Sequence, residues 1–454
     1  MKILVANRGE IALRVMRSIQ EMGHSCIGVY SEADKDSPHV EAAAESWCLG
    51  PAPAAQSYLD INKVITAAKL SGAAVVHPGY GFLSENPDFA SACEQAGLVF
   101  IGPRGAVMRA LADKAATKER VAKAGVPVIP GSQGPVSDLE RAKACARDIG
   151  YPVLVKASFG GGGRGIYPAA SETDLARAWE MARSEAKAAV GKTELYLERF
   201  LDDSRHIEVQ VAIDKKGVCR AFVERDCTIQ RRNQKLLEES PSPFVTAPVR
   251  AKMLAAAVKA ATACELTALA TVEFLLVAQK DEFYFMEINK RIQVEHPVTE
   301  ELLGLDLVRL QVALALGEPM PAFSHIEDPG SAHAIEARIN AEDPAQGFLP
   351  QEGWVDSLIL PGGPGVRVDT FLKDHLYVGS DYDSLLAKVI ASSKQGRSQA
   401  LSKLRRCLSE LKIEGLMTTA RMHRRLVDDP IFTQSERWYS TGFMAQWLQT
   451  QKWN

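Results

Sequence analysis

The strongest constraint on the fold is an alternation of short apolar runs and helical stretches over the first 112 residues. Such β/α alternation predicts a parallel sheet with helices on both of its faces. The strands are expected at Lys2–Asn7, His24–Tyr30, Ala73–His77 and Leu98–Ile101, and the clearest helices at Ile11–Met22 and about 88–96. The first strand-to-helix turn, Asn7 to Glu10, lacks the GxGxxG spacing of a dinucleotide-binding site.

A different pattern begins near Asp113. Between residues 152 and 200 a strand, a glycine run, a strand, a long helix and another strand follow in order, which predicts a small α+β lid. Strands then dominate, and Thr271–Val277 with Glu282–Asn289 is typical of a hairpin. A third region starts near Ala332, after a predicted linker at Pro319–Pro329. The other expected segments are helices at 114–124, 174–189 and 399–411 and strands at 152–157, 165–167, 194–200, 206–213, 220–226, 333–340 and 354–360.

Length and composition narrow the class of protein. A chain of 454 residues suggests two or three domains. Its net charge of -3 does not favour binding to nucleic acid or to a membrane surface. The eight cysteines are scattered, without CxxC or zinc-like spacing, as in a reduced cytosolic protein. We see no signal-peptide layout and no apolar run that could span a bilayer. We therefore expect a cytoplasmic protein with no nucleic-acid or membrane partner.

The segment from Phe283 to Glu295 carries the strongest functional signal. As an extended strand it places its odd-numbered polar residues on one face, whereas the even-numbered ones are apolar except Lys290. Hairpin pairing would also bring Glu273 close to Glu287, and carboxylate and amide oxygens suit Mg²⁺. The polar face consists of Glu287, Asn289, Arg291, Gln293 and Glu295. The alternative, a half-exposed edge strand, is disfavoured because this polar set is not repetitive.

Two further segments could bind anions. The run from Lys156 to Gly165 (KASFGGGGRG) frees the backbone to approach a phosphate, and it is not a Walker A loop because no GK[ST] ends it. Its strand and its arginine favour a phosphate-covering loop over a flexible linker. The run from Gln230 to Lys235 can bind phosphate or carboxylate. Alone it would be a solvated face or a nucleic-acid patch, but Glu238 and Glu239 weaken the second interpretation.

Two loops or strands complete the candidate set. His77–Asn86 follows a strand of the parallel sheet, where ligands bind at the carboxyl ends of strands. A turn with a helix cap near Ser84–Asn86 is compatible with that role. Glu336, Arg338 and Asn340 share one face of a strand, which by itself could be a plain ion pair.

Together these segments resemble the biotin carboxylase family. The similarity covers nearly the whole chain, and its most specific parts are HPGYGFLSEN, KASFGGGGRG, ERDCTIQRRNQK, E-x-N-x-RIQVEHPVTE and EARINAEDP in that order. The resemblance implies a mixed α/β and α+β fold in three parts. These are an N-terminal Rossmann-like parallel-sheet domain (1–112), an ATP-grasp domain (113–330, lid about 130–202) and a C-terminal domain of mostly antiparallel β-strands plus helices (331–454).

The resemblance also implies a role for each matching position. Glu295 would be the general base, and Arg338, Arg291 and Lys235 would complete the catalytic set. Bicarbonate would contact Lys235, Arg291, Gln293 and Val294, and biotin would contact Tyr80, Gly81 and Arg338. Glu273, Glu287 and Asn289 would hold Mg²⁺ or Mn²⁺. The positions expected to contact ATP are Lys114, Lys156, Gly162, Gly163, Glu198, Arg199, Phe200, Leu201, His206, Gln230 and Asn233.

The implied reaction is the ATP-dependent carboxylation of biotin with bicarbonate through carboxyphosphate. It is the first half-reaction of an acyl-CoA carboxylase such as the acetyl-CoA carboxylase of fatty acid biosynthesis. The chain carries no biotin attachment motif, so biotin is expected on a biotin carboxyl carrier protein. A carboxyltransferase subunit would choose the acyl acceptor, which the sequence leaves open, and a homodimer is expected. The alternatives are another ATP-grasp ligase and a non-catalytic assembly subunit.

The chain departs from the family pattern at several positions. Phe159 stands in place of a glycine, Asn233 in place of a common His, and Lys290 in place of Thr. Arg199-Phe200 replaces a common Lys-Tyr pair, and Ala268–Ala270 replaces a glycine-containing stretch. None of these changes removes a residue of the expected catalytic set.

Overall fold

The structure is a computed structural model that describes residues 1–132, 134–158, 166–191, 193–201, 203–277, 281–323, 326–434 and 437–453. Most of the glycine run, including Gly162 and Gly163, lies outside the described residues. Among the helices of the described part, none is long and apolar enough to cross a membrane.

The N-terminal region is a five-stranded sheet of β1 (Lys2–Val5), β2 (Ser25–Ser31), β3 (Glu45–Gly50), β4 (Val75–His77) and β5 (Val99–Phe100). All neighbours are parallel, in the order β3-β2-β1-β4-β5. The accompanying helices are α1 (Gly9–Glu21), α2 (Pro38–Ala42), α3 (Ile61–Ser71), α4 (Pro87–Gln95) and α5 (Gly105–Ala110). The predicted parallel sheet is confirmed. The half-exposed edge strand β3 was not predicted, because it carries no sustained apolar run.

Helix α1 shows why the first β/α unit folds as it does. Ile11, Val15 and Ile19 recur every fourth residue, so they form one apolar stripe along the helix. That stripe packs in a core cluster with Ile3 and Val5 of β1. The turn that precedes α1 therefore lies at the carboxyl end of β1, where the parallel sheet offers a ligand site.

Helix α6 (Lys114–Lys123) precedes the segment predicted as the lid, which contains α7 (Leu139–Ile149), β6 (Val153–Ala157), β7 (Ile166–Ala169), α8 (Glu172–Val190) and β8 (Leu195–Arg199). Its three strands are antiparallel in the order β7-β6-β8. Val153 and Val155 pack with Leu175 and Trp179 of α8 in their own core cluster. The strand–helix–strand order expected here is confirmed.

The central region comprises β9 (Ser204–Ile213), β10 (Cys219–Ala221), β11 (Arg225–Arg231), β12 (Gln234–Ser240), α9 (Ala247–Ala263), β13 (Ala268–Val277), β14 (Glu282–Asn289), α10 (His296–Leu303) and α11 (Leu307–Leu316). The hairpin of β13 and β14 is confirmed, with Glu273 directly opposite Glu287. The single strand expected at 220–226 is wrong. The chain instead forms β10, which pairs with β9, and then β11, which pairs with both β9 and β12.

The C-terminal region contains β15 (His333–Asn340), β16 (Glu342–Asp343), β17 (Leu349–Pro350), β18 (Gly353–Val355), β19 (Ser357–Ile359), β20 (Val366–Thr370), β21 (Leu376–Val378), β22 (Leu385–Ser393), α12 (Arg397–Glu410), β23 (Lys412–Glu414), α13 (Ala420–Leu426), α14 (Pro430–Thr433) and α15 (Phe443–Thr450). The strand expected at 354–360 is wrong, because β18 pairs with β21 while β19 pairs with β23. In the part of the chain that the structure describes, 3₁₀ turns lie at Glu32–Asp34, Ala54–Gln56 and Pro344–Gln346.

One antiparallel sheet joins the central and C-terminal regions. Its order is β14-β13-β9-β11-β12-β15-β22-β20, with β10 beside β9. The junction is the pairing of β12 with β15, which places Glu238 opposite Glu336. Residues that are far apart in sequence therefore share one face of a continuous sheet.

Candidate active site

Lys235 stands at the centre of a cluster of buried acids on this sheet. It follows the tight turn between β11 and β12, where Arg232 and Asn233 both have positive φ, as in a two-residue hairpin. Its Nζ donates to Glu208 Oε2 at 2.6 Å, to Glu273 Oε1 at 3.0 Å and to Glu295 Oε1 at 2.6 Å.

These contacts decide the charge of Lys235. Burial disfavours the ammonium form, but the three carboxylates outweigh burial and raise the pKa of Lys235 well above its usual value. The side chain therefore remains a fixed positive charge in a largely dry site. Such a cation can stabilise an anionic substrate without a proton transfer of its own.

Glu295 lies between Lys235 and Arg338. Arg338 on β15 donates from Nη2 to Glu295 Oε2 at 2.8 Å and from Nε to Glu238 Oε1 at 2.6 Å. Burial opposes ionisation of Glu295, but Lys235 and Arg338 outweigh it and hold its pKa well below the usual range. Glu295 is thus an ionised carboxylate that can accept a proton, and only from a donor whose own pKa nearby cations have lowered.

The proposed metal-binding face lies beside this cluster. Glu273 accepts from Asn289 Nδ2 at 2.8 Å, and its other oxygen is 3.2 Å from His206 Nε2. Burial opposes ionisation of Glu273, but Lys235 and His206 hold its pKa below the usual range. Glu287, opposite Glu273, accepts instead from Lys114 Nζ at 2.9 Å.

Lysines and Glu198 form a separate group between helix α6 and the lid. Lys118 Nζ is 2.8 Å from Glu198 Oε1, and Lys156 contacts the other oxygen. Burial disfavours ionised Glu198, yet the two lysines hold its pKa below the usual range. Lys118 was not predicted, although its position four residues after Lys114 places both on one helix face.

The remaining positions expected to contact ATP are held mainly by backbone contacts. Arg199 is exposed, and its N–H donates to Pro130 O at 2.8 Å, while the N–H of Phe200 donates to Pro152 O at 2.9 Å. Leu201 O accepts from Ser204 Oγ at 2.8 Å. The other two lie on the β11–β12 hairpin, where Gln230 pairs with Lys235 and Asn233 occupies the turn.

The proposed bicarbonate residues are only partly brought together. Gln293 Nε2 is 3.3 Å from Glu273 Oε1, which joins it to the Lys235 cluster. Arg291 instead donates from Nη1 to Gln293 Oε1 at 2.9 Å and to Ile292 O at 3.1 Å. The backbone oxygen of Val294 accepts from Lys388 Nζ at 3.2 Å.

Glu85 was missed as a site residue, although it lies in the HPGYGFLSEN loop. One of its oxygens accepts from the Lys290 N–H at 2.9 Å and lies 4.0 Å from Lys290 Nζ. Its other oxygen is 3.6 Å from Arg291 Nε. The unexplained Lys290 therefore shares a carboxylate with Arg291. Glu208 was also missed, and its signal was its position two residues after His206 on the same strand face.

The predicted biotin residues Tyr80 and Gly81 line a cavity of about 230 Å³ beside the start of α1. Tyr80 donates its hydroxyl to Glu10, whose other oxygen is 3.0 Å from Lys388 Nζ. Gly81 has φ +67°, and apart from Gly81 and its two chain neighbours no atom of the described residues lies within 4 Å of the place a Cβ would take, so the backbone is open to a ligand. Tyr80 is thus held by Glu10, whereas Arg338 pairs with Glu238 and Glu295.

Comparisons with known proteins agree with this architecture. Residues 113–323 match the ATP-binding domain of the carbamoyl-phosphate synthase large chain, which places the chain among ATP-grasp proteins. Residues 1–108 and 336–446 match the N-terminal and C-terminal domains of biotin carboxylase. The chain therefore belongs to the biotin carboxylase family, as its motifs predicted.

Individual relatives extend over almost the full chain. Biotin carboxylase 1 of Bacillus subtilis is 44% identical, over 98% of each chain, and a pyruvate carboxylase subunit of Methanothermobacter thermautotrophicus is 45% identical, over 96% of this chain and 88% of its own. The biotin carboxylase β-γ-ATP complex of Campylobacter jejuni has a TM-score of 0.94 at 41% identity, over 98% of each chain. The biotin carboxylase domain dimer of Hydrogenobacter thermophilus 2-oxoglutarate carboxylase, with MgADP, ADP and bicarbonate, has a TM-score of 0.93 at 41% identity, covering 98% of this chain and 97% of that one.

Proposed function

We propose that the chain carboxylates biotin with bicarbonate, with cleavage of one ATP, on a separate carrier protein. The observation that carries the proposal is the position of Lys235. One ammonium group contacts Glu273, a proposed metal ligand, and Glu295, the proposed base, and Glu295 in turn contacts Arg338. Groups for binding phosphate, for accepting a proton and for stabilising an enolate are thus joined in one network.

The residues at the proposed metal site fit Mg²⁺ or Mn²⁺. Glu273 and Glu287 face each other across β13 and β14, and Asn289 follows Glu287 on the same strand face. Two carboxylates and an amide oxygen are the hard donors that these ions prefer, with triphosphate oxygens completing the shell. The ion would neutralise charge on the triphosphate. Lys114 and Lys235, which now contact these carboxylates, would supply further positive charge to the same phosphates.

We assign the first chemical step to the groups around Lys235. Arg291, Lys235, Gln293 and the Val294 backbone would hold bicarbonate, and Glu295 would accept its proton. A bicarbonate oxygen then forms a bond to the γ-phosphorus, the bond to ADP breaks, and carboxyphosphate results. The depressed pKa of Glu295 requires the cations to make bicarbonate more acidic first, which Lys235 is placed to do.

The second step transfers the carboxyl group. Carboxyphosphate would release CO₂ and phosphate, the phosphate would take the proton from the biotin ureido nitrogen, and that nitrogen would then form a bond to the CO₂ carbon to give carboxybiotin. The enolate oxygen formed by the deprotonation needs a fixed cation, and the partly buried Arg338 stays charged because Glu238 and Glu295 outweigh the cost of burial. Tyr80 and Gly81 would contact the biotin ring in the cavity beside α1.

We further propose a homodimer that works with a biotin carboxyl carrier protein and a carboxyltransferase subunit. The dimeric biotin carboxylase domain from Hydrogenobacter thermophilus supports the first point. The pyruvate carboxylase subunit from Methanothermobacter thermautotrophicus supports a division of the reaction between chains. Because relatives act in carboxylases of pyruvate and 2-oxoglutarate, the acceptor could be a 2-oxo acid as well as an acyl-CoA.

The test is ATP cleavage by the purified chain with MgATP, bicarbonate and free biotin or a biotinylated carrier domain. We expect ADP formation that requires bicarbonate and rises with biotin, and carboxybiotin as product. If the rate of ATP cleavage does not depend on biotin and another acceptor is carboxylated, the chain is a different ATP-grasp ligase. ATP binding without any turnover would favour an assembly subunit.

A further inference from the structure

Two buried glutamates lie next to Arg338 on the same sheet. Glu238 on β12 and Glu336 on β15 are register partners in adjacent antiparallel strands, and both are 0% exposed. Side chains at such positions are neighbours, with Cβ atoms about 5 Å apart. Glu238 Oε1 accepts from Arg338 Nε at 2.6 Å, whereas Glu238 Oε2 and both oxygens of Glu336 accept no hydrogen bond from the described residues.

This arrangement is unfavourable if both carboxylates are ionised. Two negative charges at cross-strand distance repel each other, and a buried carboxylate without a hydrogen-bond donor is costly. The cations that face the pair are Arg338, Lys235 and Lys388, and Glu295 adds a further negative charge. Arg338 and Lys235 already contact Glu295, and Lys388 contacts Glu10 and Asp369.

One proton on the pair removes both problems. A neutral carboxyl group on Glu336 can donate to the unpartnered Glu238 Oε2, so that Glu238 keeps its charge for Arg338. Burial and the nearby Glu295 raise the pKa of Glu238 to about 7, although Arg338 opposes this. Burial, reinforced by Glu238, raises the pKa of Glu336 well above its usual value, although Lys388 opposes this.

We propose that Glu238 and Glu336 hold one proton between them at neutral pH, and that this pair positions Arg338 for the biotin half of the reaction. The inference rests on the role proposed for Arg338. Ionised Glu238 contacts both Nε and Nη2 of the guanidinium through its Oε1, and Nη2 also donates to Glu295, so the two carboxylates together fix the plane of the guanidinium. When acid puts a second proton on the pair, Arg338 loses this anchor and its geometry relative to biotin changes.

The test is the pH profile of kcat/KM for biotin in the full chain and three variants. Wild type should lose activity below about pH 7. Glu238→Gln should remove that acidic limb and lower kcat/KM for biotin by about 10- to 100-fold, since a misplaced group can cost this much. The KM for ATP should stay unchanged, because the pair makes no hydrogen bond to a proposed nucleotide residue within the described part of the chain.

Two substitutions of Glu336 separate donation from mere packing. Glu336→Gln keeps a donor beside Glu238, so the limb should remain within about half a pH unit of wild type. Glu336→Leu removes the donor, so the limb should move up by about one unit or more. Glu239→Gln is the matched control, because Glu239 lies next to Glu238 but contacts Arg397 and His333 instead. It should leave the limb in place even if it destabilises the fold.

Infrared titration gives an answer that does not depend on turnover. Wild type at pH 8 should show one buried protonated carboxyl that Glu336→Gln lacks. A second should appear as the pH falls through about 7, and Glu238→Gln should lack it. The proposal is overturned if no protonated carboxyl is present at pH 8, or if Glu238→Gln keeps the wild-type limb. If wild type shows no biotin-dependent turnover, the proposed function fails. The infrared titration would still show whether Glu238 and Glu336 share a proton.

Discussion

Two arginines on the same sheet, the buried Arg205 and the partly buried Arg338, differ in how completely their surroundings are hydrogen-bonded. Arg205 on β9 donates to Asp226 at 2.7 Å and to Tyr439 O at 2.6 Å, and its guanidinium stacks 3.9 Å from the Phe244 ring centroid. Its side chain is 0% exposed. Arg338 is 14% exposed and serves two carboxylates in a network whose acids are not all satisfied.

The difference separates stability from chemistry. Arg205 donates its hydrogen bonds to groups of the protein itself, and its bond to Tyr439 O connects the C-terminal segment to the sheet. The Arg338 cluster instead leaves one oxygen of Glu238 and both oxygens of Glu336 without a hydrogen bond from the described residues, and buried acids with perturbed pKa values are typical of an active site. Substitutions in the first cluster should therefore lower stability, and substitutions in the second should lower turnover.

The largest effect is expected for Glu295→Gln. Glutamine keeps the shape but cannot accept the bicarbonate proton, so kcat should fall by about 10²- to 10⁴-fold. Biotin-dependent ATP cleavage measures the loss, and calorimetry should show that MgATP still binds. Glu301→Gln, outside the proposed site, should keep full turnover. Unchanged kcat in Glu295→Gln would remove Glu295 from the mechanism.

Arg205→Met should lower the stability of the protein and leave its catalytic efficiency nearly unchanged. It leaves Asp226 buried without its cation, so the free energy of unfolding should fall by about 3–5 kcal/mol, measured by urea denaturation. At low temperature kcat/KM of the folded enzyme should stay within about threefold of wild type, since the partners of Arg205 are Asp226 and Tyr439 rather than proposed substrate groups. Adding Asp226→Asn should restore part of the stability. A loss below about 1 kcal/mol would contradict the assigned role.

His423 should affect folding stability although it lies next to the proposed active site, because it hydrogen-bonds to the backbone of Arg338. Its Nε2 donates to Arg338 O at 2.7 Å, and burial lowers its pKa to about 4. The unfolded chain, with a His pKa of about 6.5, binds a proton that the folded chain excludes. The folded state is therefore fully stable against this titration above about pH 6.5, and it loses stability as the pH falls from there toward 4.

We expect His423→Gln to weaken the acid sensitivity of folding. Urea denaturation at pH 7.5 and 5.5 should show a drop in unfolding free energy that is smaller than in wild type by about 1.4 kcal/mol, one pH unit of linkage. The buried His39 and His77, also with lowered pKa values, contribute equally to both proteins and cancel. An identical drop in the two proteins would mean that His423 is not kept neutral by the fold.

The sequence could predict the parts of this site that lie along one strand. Period-two polarity gave the face of β14 for Glu287 and Asn289, but the extended strand expected as far as Glu295 was wrong, because β14 ends at Asn289 and residues 290–295 form the loop before α10. The hairpin gave the register of Glu273 with Glu287. It could not predict that Lys235, Glu238 and Glu336 would meet, because that requires β12 to pair with β15 across about a hundred intervening residues. The division of 354–360 into β18 and β19 was missed for the same reason, since each half takes a different distant partner.

The smallest expected effect is that of Lys290→Thr, which introduces the residue usual in the family. Lys290 and Arg291 now share Glu85, with Arg291 Nε held only loosely at 3.6 Å. Without the lysine, Glu85 has one cation instead of two, so it should draw Arg291 away from bicarbonate. We expect the KM for bicarbonate to rise by about three- to tenfold, or roughly 1 kcal/mol, with kcat nearly unchanged.

The control for Lys290→Thr is Lys123→Thr, which removes an equal charge from an exposed ion pair on α6. It should leave the KM for bicarbonate at the wild-type value, since an exposed i,i+4 pair contributes little. If both variants match wild type, Arg291 does not depend on how Glu85 is neutralised. If Lys290→Thr lowers the KM instead, the lysine competes with Arg291 for bicarbonate, and the two cations oppose each other at this site.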